Sequence, residues 1–312
     1  MGATVRFLFC TYCIELSKGQ LQIGVYKRGL RVALELRARG HEIVFYCTGH
    51  QNFHDELTAR AKSQMRFIEL TFRQAAYEGA EANRVSFLEQ LRALQPDVVV
   101  IGEAPMAGPM LEMTLCAVET KIPVVVLDNA YHPAYLETFC EKHGAMVDGI
   151  VLSGPSAVHG VTKYRYVVHV PPYIDASIPE ARALLGEIGV TAERLLLVLG
   201  YDPNVERLGL SLAQQLDDPD VATVVVSPDP EAAQRRADAL VGGTGRRIRA
   251  IAPTSDRVLF GLLQLARCAV TKCGYMQVAE SLSVGTPVVT LYYPGFFSLT
   301  ALPEVMQRFA HA

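Results

Sequence analysis

The sequence lacks an excess of charge of either sign. Its 312 residues carry 29 basic and 32 acidic side chains, a formal net charge of -3. Broad binding to nucleic acid or to an anionic membrane surface needs a basic field and is excluded, which leaves room only for a local basic patch. No apolar run approaches the roughly 18 residues of a membrane-spanning helix. The first ten residues hold a short apolar run without a basic leader or a small-residue cleavage site, so they read as a buried strand and not as a secretory signal. Low-complexity tracts and short-period repeats are absent. Metal-ligand spacing is absent too: His50, His54 and Asp55 read as a surface loop, and no metal is expected.

What is present is a hydrophobic share of 50%, which excludes a disordered polymer, and a length that points to two domains. Cys10, Cys13, Cys47, Cys116, Cys140, Cys268 and Cys273 are odd in number and scattered, mostly in or beside apolar segments. Reduced core thiols have that distribution, and a cytoplasmic protein is expected. Cys10-Thr11-Tyr12-Cys13 is formally a C-x-x-C. Redox chemistry there needs a helix N-terminus directly after the strand, and the residues that follow read as loop.

Short apolar runs alternate with helix-period stretches along the whole chain. Strands are expected at 5–10, 41–47, 65–70, 97–101, 123–127 and 149–152. Helices are expected at 27–39, ending on Gly40, at 83–95, stopped by Pro96, and at 110–120. The run Val98-Val99-Val100-Ile101 is apolar throughout, as in a parallel sheet buried on both faces. Around 167–188 the pattern lapses and Pro171, Pro172 and Pro179 appear, so this stretch reads as a connection. A second alternation follows, with strands at 195–199, 221–226, 248–251, 268–271 and 287–291, and helices at 207–216, 231–240, 256–265 and 276–284. The expected architecture is α/β: two Rossmann-like domains, 1–170 and 191–312, joined by a linker at 171–190 and facing across a cleft.

The most informative segment runs from Ala269 to Pro287. It reads as strand, glycine turn, helix, glycine stop and strand. A turn at Gly274 allows close approach of backbone to a ligand. The N–H groups of Tyr275 to Gln277 open the helix and suit a diphosphate. Glu280 lies within the first two turns, where a carboxylate can accept from both hydroxyls of a ribose. Gly285 ends the helix. A glycine before and after a helix is also ordinary in any α/β unit, so the glycines alone decide nothing.

The whole string resembles the donor-binding motif of GT-B glycosyltransferases, in the variant Lys272-Cys273-Gly274-Tyr275 of glycosyltransferase-like domains. The resemblance implies that Glu280 binds the ribose, that Gly274 makes the turn, and that Lys272, Tyr275 and Gln277 meet the diphosphate of a UDP- or TDP-sugar. Gln277 stands where the family usually has Ser or Thr. In the first half, Gly24-Val25-Tyr26-Lys27-Arg28 and Arg39-Gly40-His41-Glu42-Ile43 resemble the family's first loop and helix. This makes Gly24, Val25 and Arg28 the acceptor-side loop. Many inverting members carry a histidine base where this chain has Val25, and valine accepts no proton. His41 reads as structural.

Catalytic duty then falls to Glu103, at the end of the strand after Pro96-Asp97, and to His132, in Asp128-Asn129-Ala130-Tyr131-His132 after the next strand. The resemblance implies an acceptor-side first domain, a donor-binding second domain and no cofactor besides the nucleotide-sugar. It also implies closing helices for which 292–312 leave little chain, so a short or truncated end is expected. The leading expectation is a metal-independent glycosyltransferase with an unknown acceptor. The alternatives are an inactive glycosyltransferase-like binding or partner protein, favoured by Val25 and Gln277, and a nucleotide-sugar epimerase or hydrolase on the same fold.

Overall fold

The computed structural model describes residues 3–11, 14–17, 20–22, 24–47, 56–69, 80–105, 108–128, 133–153, 167–170, 174–190, 194–216, 218, 220–241, 248–272 and 275–291. The chain divides into two compact units, Met1–Val170 and Pro171–Ala312.

Unit 1 begins with β1 (Arg6–Thr11), the short antiparallel pair β2 (Ile14–Ser17) and β3 (Gln20–Gln22), and α1 (Gly24–Ala38). It continues through β4 (Glu42–Cys47), α2 (Glu56–Gln64), β5 (Arg66–Glu69), α3 (Ala80–Leu94), β6 (Val98–Ile101) and α4 (Gly108–Glu119). Then come β7 (Val124–Asp128), α5 (Pro133–His143), a 3-10 turn, β8 (Gly149–Ser153) and β9 (Val167–Val170). The main sheet is seven-stranded, parallel, and ordered β5-β4-β1-β6-β7-β8-β9. β1, β4, β6 and β7 bury both faces, which is why they read as largely apolar runs. Leu8, Val99, Ile101 and Val126 pack with Phe87, Met113 and Phe139 on one side. Phe9, Phe45 and Val100 pack with Tyr26 and Leu30 on the other.

Unit 2 runs through α6 (Ile178–Glu187), β10 (Arg194–Leu199), α7 (Pro203–Gln215), β11 (Val221–Val226), α8 (Pro230–Val241), β12 (Ile248–Ile251), α9 (Asp256–Leu265), β13 (Ala266–Lys272), α10 (Tyr275–Ser283) and β14 (Val288–Leu291). Its parallel sheet is ordered β12-β11-β10-β13-β14. Leu195, Leu197 and Leu199 face α9 and α6, while Leu196 and Val198 face α7 and α8. The expected helix stops hold at Gly40 and Gly285, whose φ values of 91° and 81° are left-handed and open to glycine without strain.

The stretch expected as a connection differs. It contains β9, the seventh strand of the first sheet, and α6, which belongs to the core of unit 2. Pro179 does not break α6. It sits in the first turn, where its missing N–H has no partner to lose, and the Ser177 side chain caps the helix by accepting from Glu180 N. Helices α2 and α5 and the β2–β3 hairpin were not expected from periodicity either.

Candidate functional site

In an open parallel sheet the ligand crevice lies outside the carboxyl ends of the strands, at the point where strand order reverses. In unit 2 that point falls between β10 and β13. The chain builds β11 and β12 on one side of β10 and returns to the other side with β13 and β14. Gly200-Tyr201-Asp202 leaves β10 there, and α10 leaves β13 beside it. Gly200 is wedged: a Cβ would lie 3.2 Å from both Val225 Cγ1 and the Val226 carbonyl oxygen. Asp202 caps α7 by accepting from Asn204 N at 2.8 Å.

Most of the donor-binding residues expected from sequence fall in this place. Lys272 ends β13 and is partly exposed. Tyr275 is the first residue of α10. Gln277 Oε1 accepts from the fully buried Thr271 hydroxyl at 2.7 Å. Glu280 is 8% exposed, on the same helix. The turn residue Gly274 lies outside the described residues. The end of α10 is anchored by Thr286, whose hydroxyl donates to the Leu263 carbonyl of α9.

Sequence reasoning missed two members of this cluster, Tyr201 and Asp256. The Tyr201 phenol is pushed up to about 12, first by burial and then by the negative charges of Asp256 and Glu280. The turn after β10, the start of α9 and the middle of α10 thus bring one phenol within electrostatic reach of two carboxylates. At neutral pH the phenol keeps its proton and is available as a donor.

In unit 1 the order reverses between β1 and β6. Glu103 directly follows Gly102 at the end of β6, on a turn that is pinned on both sides. Gly102 N donates to Cys10 O at 2.9 Å, the Gly102 carbonyl accepts from Arg28 Nη2, and Ala104 N donates to Asp128 Oδ2 at 2.8 Å. Glu103 is partly exposed on this fixed turn, and His132 lies outside the described residues.

The acceptor-side loop expected at Gly24, Val25 and Arg28 is instead the start of α1. Val25 is buried, and a Cβ at Gly102 would lie 2.8 Å from its Cγ1. Arg28 is 3% exposed, and its Nη2 also donates to Leu127 O at 3.0 Å. Its guanidinium therefore ties α1 to the ends of β6 and β7. Arg28 falls inside the helix expected at 27–39, but helix periodicity alone does not say which cation is covered. His41 is structural: Nδ1 accepts from Val5 N at 3.3 Å, and the ring meets Phe7 edge-on. Cys10 is fully buried and burial raises its thiol, so it has no thiolate to offer; Cys13 lies outside the described residues. Among the described residues, no group of three or more His, Cys, Asp and Glu is arranged to hold a metal ion, and no helix is long and apolar enough to cross a membrane.

No protein-family profile and no curated protein matches the chain. Solved structures do. A UDP-GlcNAc 2-epimerase from Neisseria meningitidis, solved with UDP-GlcNAc bound, is similar over 99% of this chain and 93% of its own, with a TM-score of 0.62 and 13% identity. MurG from Acinetobacter baumannii is similar over 97% of this chain and 83% of its own, with a TM-score of 0.62 and 14% identity. The fold is GT-B-like. A glycosyltransferase from Rickettsia africae is similar over 92% of this chain and 79% of its own, with a TM-score of 0.61 and 12% identity. At such identities the likeness is one of fold, and chemistry has to be argued from the site.

The GT-B-like chain carries a pH signature of its own. Tyr46 is raised to about 12 by burial and by Cys10, as Tyr201 is by burial and its carboxylates. Both folded-state values lie above the ordinary 10, so the unfolded chain gives up these protons first. Their contribution to stability is complete below about pH 10 and falls as pH rises toward 12. An ultraviolet phenolate titration is expected to show these late-ionising tyrosines, with one of them removed by Tyr201→Phe. Retention of the full late step in Tyr201→Phe would contradict this assignment.

Proposed function

We propose that this chain binds a nucleoside-diphosphate sugar on unit 2 and transfers the sugar to an acceptor. The observation that carries the reading is the buried carboxylate of Glu280 on α10, beside the reversal point of the sheet, within the one segment that resembles a donor-binding motif. Glu280 accepts from the two ribose hydroxyls. Lys272, the Gln277 amide and the amides around Gly274 and Tyr275 take the diphosphate, and they stabilise its charge as it leaves. The bond from the sugar to the diphosphate oxygen breaks, and the acceptor oxygen or nitrogen forms the new one. The acceptor proton goes to Glu103 or His132, since Val25 can hold none. No metal is assigned a part. The buried cysteines Cys10, Cys47, Cys116 and Cys140 support a reducing, cytoplasmic setting.

A second reading is a nucleotide-sugar epimerase or hydrolase. The appearance of UDP-GlcNAc 2-epimerases among similar structures and the lack of a base at Val25 favour it. A protein that binds the donor without turnover is the third.

Calorimetric titration with UDP, TDP and GDP tests the shared premise. One diphosphate is expected to bind, and Glu280→Ala to lose about 100-fold in affinity, which is the scale of two hydrogen bonds to a charged group. If none of them binds, the donor site is wrong. Incubation of the matching nucleotide-sugar without acceptor separates the readings: free sugar marks a hydrolase, an altered sugar an epimerase, and an intact donor a transferase or a binder.

A further inference from the structure

The Thr271–Gln277 pair has a consequence for how the donor site works. Thr271 lies in β13, is wholly buried, and its hydroxyl donates to Gln277 Oε1 at 2.7 Å. A carboxamide oxygen only accepts, so the proton in this bond comes from the threonine. With Oε1 turned inward, the amide plane sends Nε2 the other way. Gln277 is partly exposed and is the third residue of α10, whose first turn carries no acidic side chain. A free glutamine side chain gives up substantial rotamer entropy when it is ordered and can offer either its oxygen or its nitrogen to a ligand. An oxygen aimed at a phosphate would repel it.

We propose that Thr271 is a positioning residue that sets the Gln277 amide with its N–H donors toward an anionic group of the ligand. This rests on the donor-site reading above and deepens it. Gln277 stands in for a hydroxyl-bearing side chain, and the buried threonine behind it removes the ambiguity that an amide would otherwise bring. Thr271 itself does not touch ligand.

The test measures, by calorimetry on the full chain, the affinities for UDP, TDP and GDP and for the matching nucleosides uridine, thymidine and guanosine. Thr271→Val keeps the outline of the side chain and removes the hydroxyl. It is expected to weaken the diphosphate that binds by about tenfold, the scale of one hydrogen bond, while changing the nucleoside by less than about twofold. Thr271→Ser is expected to restore the diphosphate affinity to within about threefold. Gln277→Glu keeps an acceptor for Thr271 and replaces the outward donor with a negative charge. It is expected to lose at least about tenfold for the diphosphate while the melting temperature and the nucleoside affinity stay unchanged. The proposal is overturned if Thr271→Val binds the diphosphate as the natural chain does. It is also overturned if either variant weakens nucleoside and diphosphate equally, which is what a merely structural role predicts. Absence of binding by the natural chain to any diphosphate would overturn the donor-site reading first, and this inference with it.

Discussion

Arg28→Ala is expected to destabilise unit 1 by about 3–4 kcal/mol, the cost of removing a buried ionic donor from two backbone carbonyls and leaving a cavity behind. The guanidinium is 3% exposed and bonds the carbonyls of Gly102 and Leu127. In the alanine variant those carbonyls lose their donor in a place that water does not reach, and an unsatisfied buried acceptor costs more than the bond gained by making it. Arg28→Lys is expected to recover only part of the loss, because an ammonium group lacks the planar fork of the guanidinium. Urea unfolding followed by circular dichroism measures both. A change within about 0.5 kcal/mol, the ordinary result for an exposed side chain, would return Arg28 to the acceptor side that the family resemblance implies. The turn that carries Glu103 depends on the same bond, so Arg28→Ala is also expected to lower any activity that Glu103 supports.

Gly261→Val is expected to destabilise unit 2 by about 3 kcal/mol, at the upper end of the overpacking range. Gly261 lies in α9 where α6 crosses it. A Cβ at Gly261 would lie 2.4 Å from the Ser177 carbonyl oxygen and 2.8 Å from Ala181 Cβ. The first obstacle is backbone at the cap of α6, so no rotamer change relieves it and the helices have to separate. Gly186, inside α6, is the control, since nothing lies within 4 Å of its Cβ position. Gly186→Ala is expected to be neutral or to stabilise by up to about 1 kcal/mol through helix propensity and a stiffer unfolded chain. Denaturant midpoints for both variants, with amide exchange along α6 and α9, check the pair. Equal effects at the two glycines would mean that α6 is not seated on α9.

Gly40 and Gly285 were legible as helix stops because a left-handed residue after a helix is a local requirement. The apolar run of β6 was legible as a doubly covered strand for the same kind of reason. The α6 segment was not. Pro179 is the same letter whether it breaks a helix or opens one, and only the Ser177 cap and the packing against α9 decide between the two. In the candidate site, Glu280 and Gln277 could be picked out because strand, turn and helix follow one another in a short stretch. Tyr201 and Asp256 could not, because Tyr201 meets the charges of Asp256 and Glu280 from a separate element.

By itself the sequence determined the α/β class, the alternation of strand and helix in two halves, and the helix that presents Gln277 and Glu280. These follow from local periodicity and turn chemistry, which act over a few residues. The tertiary structure alone decided the two strand orders and hence the reversal points, the burial of Arg28 against a carbonyl 99 residues away, and the exposure of the Tyr201 phenol to the charges of Asp256 and Glu280. Those contacts join residues whose separation along the chain carries no period. Parallel pairing of buried strands brings the ends of distant segments to one edge of a sheet, and that edge is where the proposed chemistry lies.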